Sequence, residues 1–383
     1  MDVKQVATFV NTAVKEAVGE IPVETEDLSN IVDLGNSVFN ANAMDKYVGA
    51  LVNQVGKFVF VSRVYAGSAP KVLMDAWEFG SVVEKVRMET PEAQENPTWG
   101  LEDGEHYDQD TFTAPKIEVK FYNSKLTLEV PISITKRQVK QSFQSAGQMN
   151  GFIEMIYTAM DNAMTEKLDA LILKVIANAI GETIYSDYAA EALSSKSGVK
   201  AVNLLKLYND KYATTLSVDK AFEDKDFLRF ASKTIGIYIK RIQKMSRLFN
   251  VGKTKKFTPE NLLHIDLLTD YVASSVSNLQ SDTFHDQLVK LPGYEEVSYW
   301  QATGTDYSEN GQLKVTTSSG HAVEVTGKIL GVMYDRDALG VYNYDKRVPT
   351  HENKHAEFWN LWYKMDVSLF NDLNENCVVF FIQ

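Results

Sequence analysis

At 383 residues, with 44% hydrophobic and 23% charged side chains, the chain can bury a substantial core without staples. No apolar run approaches the roughly 20 residues of a membrane-spanning helix, which argues against a membrane protein. The net charge of -12, from 51 acidic and 39 basic residues, argues against broad nucleic-acid binding, since that affinity comes from Lys and Arg neutralising phosphates.

The opening residues Met1, Asp2, Val3 and Lys4 lack a basic stretch followed by an apolar segment, so no secretory leader is expected and folding in the cytoplasm is. Val3, Val6, Val10, Val14 and Val18 recur at helical spacing and predict an amphipathic helix ended by Pro22. After the acidic Glu24, Glu26 and Asp27, a second helical pattern places Met44, Tyr47, Val48, Leu51 and Val55 on one side. Two short helices on a polar leader read as an arm, poorly covered by its own chain and ordered by neighbours.

β-Branched and aromatic residues from Phe58 to Tyr65 and from Trp77 to Met88 predict strands. Between Glu89 and Asp110 the chain becomes a polar loop, rich in acids and broken by Pro91, Pro97, Gly100 and Gly104. Strict alternation resumes at Lys116, Ile117, Glu118, Val119, Lys120 and Phe121, one face apolar and the other charged. The stretch from Phe58 to Tyr122 therefore reads as a long, exposed β-hairpin with an acidic tip. Such an element is marginal alone and invites a partner surface.

Leu126, Leu128, Val130 and Ile132 continue the alternation to Thr135, which with Gln138 makes a helix-capping pair. A short helix is expected to end near Gly147. From Gln148 to Ile180 runs the strongest helical signal, with Phe152, Ile156, Met160, Ala163, Leu171 and Val175 as its stripe. About 30 residues make a rod about 45 Å long, and Gly181 is placed to terminate it. Glu182 to Phe222 is mixed, with an element of unassigned type at Leu204, Leu205 and Leu207.

A third helix carries Phe227, Phe230, Ile235, Tyr238, Ile239, Ile242 and Met245. Its basic end, Lys240, Arg241, Lys244 and Arg247, reads as a solvated helix terminus, with contact to DNA as the alternative. Beyond Lys256 short strands are expected at Leu262 to Leu268, Glu296 to Gln301, Leu313 to Thr316, Ala322 to Thr326 and Ile329 to Tyr334, within an α+β lobe. Phe358 to Phe370 reads as an aromatic core strand and Cys377 to Ile382 as a buried closing strand. Cys377, the one cysteine, reads as a small buried hydrophobe.

An arm, a long hairpin with an acidic tip, an unusually long helix and a mixed lobe, in that order, resemble the tailed-bacteriophage major capsid fold. Encapsulin nanocompartments share that fold. The phrases Ile329-Leu330-Gly331-Val332-Met333-Tyr334-Asp335-Arg336-Asp337-Ala338-Leu339 and Phe358-Trp359-Asn360-Leu361-Trp362-Tyr363, followed by Ser368-Leu369-Phe370, look like those of small short-tailed phages of Gram-positive hosts.

The resemblance implies an N-terminal arm over residues 1–56 and an extended loop over 57–124. It further implies a peripheral domain over 125–257 with a spine helix at 148–180, and an axial domain over 258–350. Residues 351–383 would supply a return strand to the peripheral domain and the closing axial strand. The implied function is that of a capsid subunit, assembling through pentamers and hexamers into an icosahedral shell around double-stranded DNA. Scaffolding and portal proteins are the implied partners. DNA would be contacted weakly and non-specifically, and no membrane or cofactor is involved. Some relatives append an immunoglobulin-like domain, which is not expected before Gln383. An encapsulin-like shell protein is the alternative within the fold.

A competing signal is His351-Glu352-Asn353-Lys354-His355, formally an H-E-x-x-H zinc hydrolase motif. That chemistry needs a helix, so that His351 and His355 face one metal while Glu352 activates its water. Pro349 and the polar Asn353 and Lys354 do not suit a buried helix, and the turn-forming Asn371, Asp372, Asn374 and Asn376 surround Glu375, a third ligand by distance. The motif reads as a chance match. His106, His264, His285 and His321 are scattered, and no catalytic, cofactor or metal site is expected.

Overall fold

The computed structural model describes residues 10–15, 46, 50, 70, 72–74, 83–93, 95–107, 110, 112–122, 124–142, 146–189, 191–280, 293–301 and 311–383. Most of the two arm helices, the strand at Phe58 to Tyr65 and His285 lie outside them. Residues 10–15 are helical, and Val10, Ala13, Val14 and Ala50 are buried. At these positions the expectation of an arm uncovered by its own chain does not hold.

Two five-stranded sheets share one continuous hydrophobic core. The centre of the first is β13 (Phe358–Asn371), whose buried Trp359, Leu361, Tyr363, Met365 and Val367 alternate with less buried residues. Along one side runs β4 (Lys125–Thr135), antiparallel, with Thr135 opposite Phe358 and Lys125 opposite Ser368. The other side is shared by β12 (Thr350–Asn353) and β11 (Leu339–Arg347). A short strand, β1 (Leu73–Met74), adds in parallel to β11. Leu73 and Met74 therefore belong to this sheet and not to the hairpin. Among the described residues the hairpin is formed by β2 (Val83–Met88) and β3 (Ile117–Tyr122), and residues 77–82 of its expected first strand lie outside them.

The second sheet runs in the order β5 (Ala201–Asn203), β14 (Cys377–Ile382), β10 (Lys328–Asp335), β6 (Leu263–Leu268), β7 (Glu295–Val297). All six residues of β14 are buried, as its unbroken apolar run Cys-Val-Val-Phe-Phe-Ile requires. A hairpin of β8 (Leu313–Thr316) and β9 (Ala322–Val325) stands apart from this sheet.

Thr135 and Gln138 form the expected capping box. The Thr135 backbone N–H donates to Gln138 Oε1 at 2.9 Å and the Gln138 N–H to Thr135 Oγ1 at 3.3 Å. They start α1 (Lys136–Ser142), after which α2 (Ala146–Tyr188) runs for 43 residues, about 65 Å at 1.5 Å per residue. Gly147, expected beyond the short helix, lies inside α2. Gly181 does not end it either. A Cβ there would come within 2.8 Å of Val315 Cγ1 and Thr317 Cγ2, so the glycine lets the β8–β9 hairpin approach the rod. The helix ends at Ala189, whose φ is 50°.

The second half of α2 is covered nearly all round, with Ile172, Val175, Ile176, Ile180 and Ile184 buried, and it touches both sheets. The untyped segment is α3 (Leu204–Tyr212), capped by Asn203, and α4 (Lys225–Ile242) is capped by Asp224. A further helix, α5 (Thr269–Gln280), was not anticipated.

The expected division at residue 257 is not where the sheets change. β5 pairs with β14, α3 packs on β14, and α4 packs on α5, so the segment from Ala201 to Ile242 goes with the second sheet. β11, expected in the axial domain, pairs with β13 in the first. β5 and β14 are more than 150 residues apart, and nothing local in the sequence marks that pairing, while β11 joins a strand that follows it closely in the chain.

Candidate functional site

In the β2–β3 ribbon Val86 faces Val119, Met88 faces Ile117, and Glu84 faces Phe121. An amphipathic strand ordinarily turns its apolar side to the body. Here it is outward: Val86, Met88, Ile117, Val119 and Phe121 are 45–64% exposed. The tip beyond continues the pattern, with Trp99 and Phe112 exposed.

The charged side is turned in, because the body offers it a socket. Lys85, Arg87, Lys120 and Tyr122 meet the turn between β13 and β14, where Asp372 and Glu375 are buried. Lys85 Nζ lies 2.8 Å from Asp372 Oδ2 and 2.7 Å from Glu375 Oε1, and donates to the Asp337 carbonyl at 3.1 Å. Lys120 Nζ reaches Asp372 Oδ1 at 3.0 Å, and Lys256 Nζ reaches Glu375 Oε1 at 2.8 Å. Arg87 is 3.8 Å from Glu375 and 3.3 Å from Glu118. With its amide oxygen toward the cations, Asn374 accepts from Arg87 Nη2 at 2.8 Å and Lys120 Nζ at 2.6 Å.

Burial alone would raise both carboxyls, but the cations outweigh it. Asp372 is lowered to about 2, chiefly against burial by the hydrogen bond from Lys85, and Glu375 is lowered by Lys256 and Lys85. Lys85 is raised in turn: burial opposes its charge, and the bonds to Asp372 and Glu375 win. Burial, then the Asp372 charge, pushes the Tyr122 phenol up. The socket wall is tight. A Cβ on Gly252 would fall 1.7 Å from the side-chain amide of Asn374, and the Gly252 N–H donates to the Leu373 carbonyl at 2.9 Å.

Behind the socket lies the Ile329 to Leu339 phrase. Asp335 accepts from Thr258 Oγ1 at 2.7 Å and from the Asp337 N–H at 3.0 Å, while its own N–H donates to the Asn376 carbonyl at 3.0 Å. Thr258 Oγ1 in turn accepts from Asn376 Nδ2 at 3.1 Å. These bonds tie the turn after β10 to the acidic turn that receives the ribbon.

The zinc motif is overturned by its backbone. His351 and Glu352 lie in β12, opposite Asn360 and Trp359, so consecutive side chains diverge and no helical face joins His351 to His355. Both histidines are exposed, and Glu375 is engaged in the socket. His321 stacks on Tyr185 at 3.6 Å, His264 lies against Tyr334 at 5.7 Å, and His106 is exposed. In the basic cluster Lys240 meets Glu260 at 3.4 Å, Arg241 covers the Tyr238 ring, and Arg247 approaches Glu89 and Glu92 at 3.9 and 3.7 Å.

From the sequence, Asp372 reads as part of a turn and Glu375 as a third zinc ligand by distance, set within that turn. Their role was missed, although Lys85, Arg87 and Lys120 on alternating strands announced cations needing counter-charges.

A family model for the Phi29-like phage major capsid protein matches residues 10–381. Among solved structures, the chain is similar in fold to one in the capsid structure of Staphylococcus phage Andhra. The identity is 10% and the TM-score 0.50, covering 84% of this chain and 87% of that one. A chain in the capsid structure of Cyanophage P-SCSP1u gives 10% identity and a TM-score of 0.45, covering 84% and 88%. No curated protein matches the sequence. Among the described residues, no helix is long and apolar enough to cross a membrane.

Proposed function

Taking as premise that the chain belongs to the Phi29-like phage major capsid proteins, structural subunits of a virion shell, we propose that its copies are joined through the β2–β3 ribbon. The observation that carries this is the ribbon's orientation. Its charged face is spent on the chain's own socket, and five large apolar side chains are left on the outer face. An exposed apolar row of this kind is a liability in a monomer and an asset in an assembly.

The copies close as pentamers and hexamers into an icosahedral shell around double-stranded DNA, assembled in the host cytoplasm. The ribbon serves as the extended loop, α2 as the spine helix, the β13-centred sheet as the peripheral domain, and the β14-centred sheet as the axial domain. Residues 1–56 serve as the arm, scaffolding and portal proteins take part in assembly, and the packaged DNA is touched weakly and non-specifically. The protein's work is mechanical, and no catalytic step is assigned to it.

Deleting Glu89 to Asp110 and rejoining the ribbon with a short turn tests this. Negative-stain microscopy is expected to show particles for the unaltered chain and only small oligomers for the deletion. Normal particles from the shortened chain would refute the ribbon's role.

A further inference from the structure

Beside the socket, between the tip-side end of the ribbon's ladder and the loop after α4, is a cleft of about 440 Å³ whose occupant nothing above supplies. Its lining combines the cations Arg247, Lys253 and Lys255 with the apolar Met88, Met245 and Phe257, and also holds two acids, Glu89 near Arg247 and Glu118 paired with Arg87, so that the cations outnumber them. All three apolar side chains are more than two-fifths exposed. Lys256 and Arg87 are drawn to the socket, whereas Lys253 is exposed and Arg247 half so. The cleft is therefore basic and greasy at once.

One segment of this chain has the complementary character. Between Glu89 and Pro115 there is no Lys or Arg, while Glu92, Glu95, Glu102, Asp103, Glu105, Asp108 and Asp110 are acidic. Trp99, Leu101, Tyr107 and Phe112 of the same segment are exposed, Trp99 completely. The tip leaves from the cleft's own rim, where Glu89 and Glu92 stand near Arg247, and its aromatic side chains lie in solvent rather than in the cleft.

We propose that the cleft beside the tip-side end of one ribbon's ladder receives the acidic, aromatic tip of the ribbon of a second copy. The inference rests on the shell reading and names the partner surface that reading leaves open. Each copy gives a tip and a cleft from different patches, so the contact is head-to-tail, the kind that builds rings when the rotation between copies closes. The apolar lining favours a protein occupant over a DNA phosphate backbone, which would use the cations and leave Met245 and Phe257 uncovered.

The test is a charge swap in the full chain, expressed alone and with the other head proteins of its phage. Lys253→Glu with Lys255→Glu should lower particle yield by about tenfold or more, and Glu102→Lys with Asp103→Lys and Glu105→Lys should do the same. All five positions lie outside the core, and circular dichroism melts are expected to match the unaltered chain. Combining both sets should restore yield to within about threefold, because the attraction is rebuilt with its signs exchanged.

A cleft reversal that leaves yield unchanged, or a combination no better than its worse half, overturns the proposal. So does a cleft reversal that forms full-yield shells but retains less DNA, which assigns the cleft to nucleic acid. In these cases the unaltered chain still forms shells and the proposed function stands. Absence of shells from the unaltered chain takes down both.

Discussion

The ribbon and the closing strand invite comparison because both are six-residue antiparallel ladders rich in apolar side chains. In β14 every side chain is buried, with Phe380 and Phe381 at 1% and 0% exposure. In the ribbon Phe121 is 64% exposed. The same residue types thus close the core in one place and stand in solvent in the other. Composition and alternation specify a strand, and what covers it decides whether the strand supports the monomer or waits for a neighbour.

The largest expected effect separates these roles. Phe380→Ala should cost about 3–5 kcal/mol in urea unfolding, because it empties a filled core. Phe121→Ala should cost less than about 1 kcal/mol in the same measurement while lowering particle yield. Equal losses of monomer stability would abolish the contrast.

The socket comes next. Asp372→Asn leaves Lys85 and Lys120 short of a counter-charge and should cost about 2–3 kcal/mol, below the usual range for a fully buried pair because both lysines are partly solvated. Amide exchange in residues 83–88 and 117–122 should speed up more than in β14. With a folded-state value near 2 against 3.8 unfolded, the contribution of Asp372 is complete above about pH 4 and is lost as pH falls toward 2. The variant should lack that acid step. If exchange quickens equally in ribbon and core, the socket is not a local anchor.

Asp266, in the core sheet, makes the opposite use of burial. It is pushed up to about 8, by burial first and then by the Glu295 charge, against the opposing influence of the nearby Tyr334 hydroxyl. The unfolded chain loses this proton earlier, so its contribution to stability declines as pH rises from about 4 to about 8. Asp266→Asn should flatten that decline and add about 1–2 kcal/mol at pH 8, part of the gain being offset by burying an amide. A decline of the same slope in the variant would assign it to another group.

The closing strand, β13, β8, the capping pair and the existence of the long helix were legible because each writes its period and boundaries into consecutive residues. Gly181 misled because a terminator and a close-packing glycine look alike until Val315 and Thr317 are seen beside it. That the sheets do not change at residue 257 was hidden for a related reason: β5 finds its partner β14 far along the chain, Ala201 opposite Val379. The socket was half visible. Lys85, Arg87 and Lys120 show that one ribbon face is charged, but alternation is silent on which face turns inward. That choice is made by Asp372 and Glu375, some 250 residues later.

The long helix is clamped over its second half and more open before residue 168, where buried positions such as Ile156 and Met160 alternate with exposed ones. A stiff rod held at one end is a lever. Over roughly 22 residues, about 33 Å, each degree of tilt at the grip displaces the far end by about 0.6 Å. A tilt of about two or three degrees at the grip therefore becomes a shift of about 1–2 Å at the start of the helix.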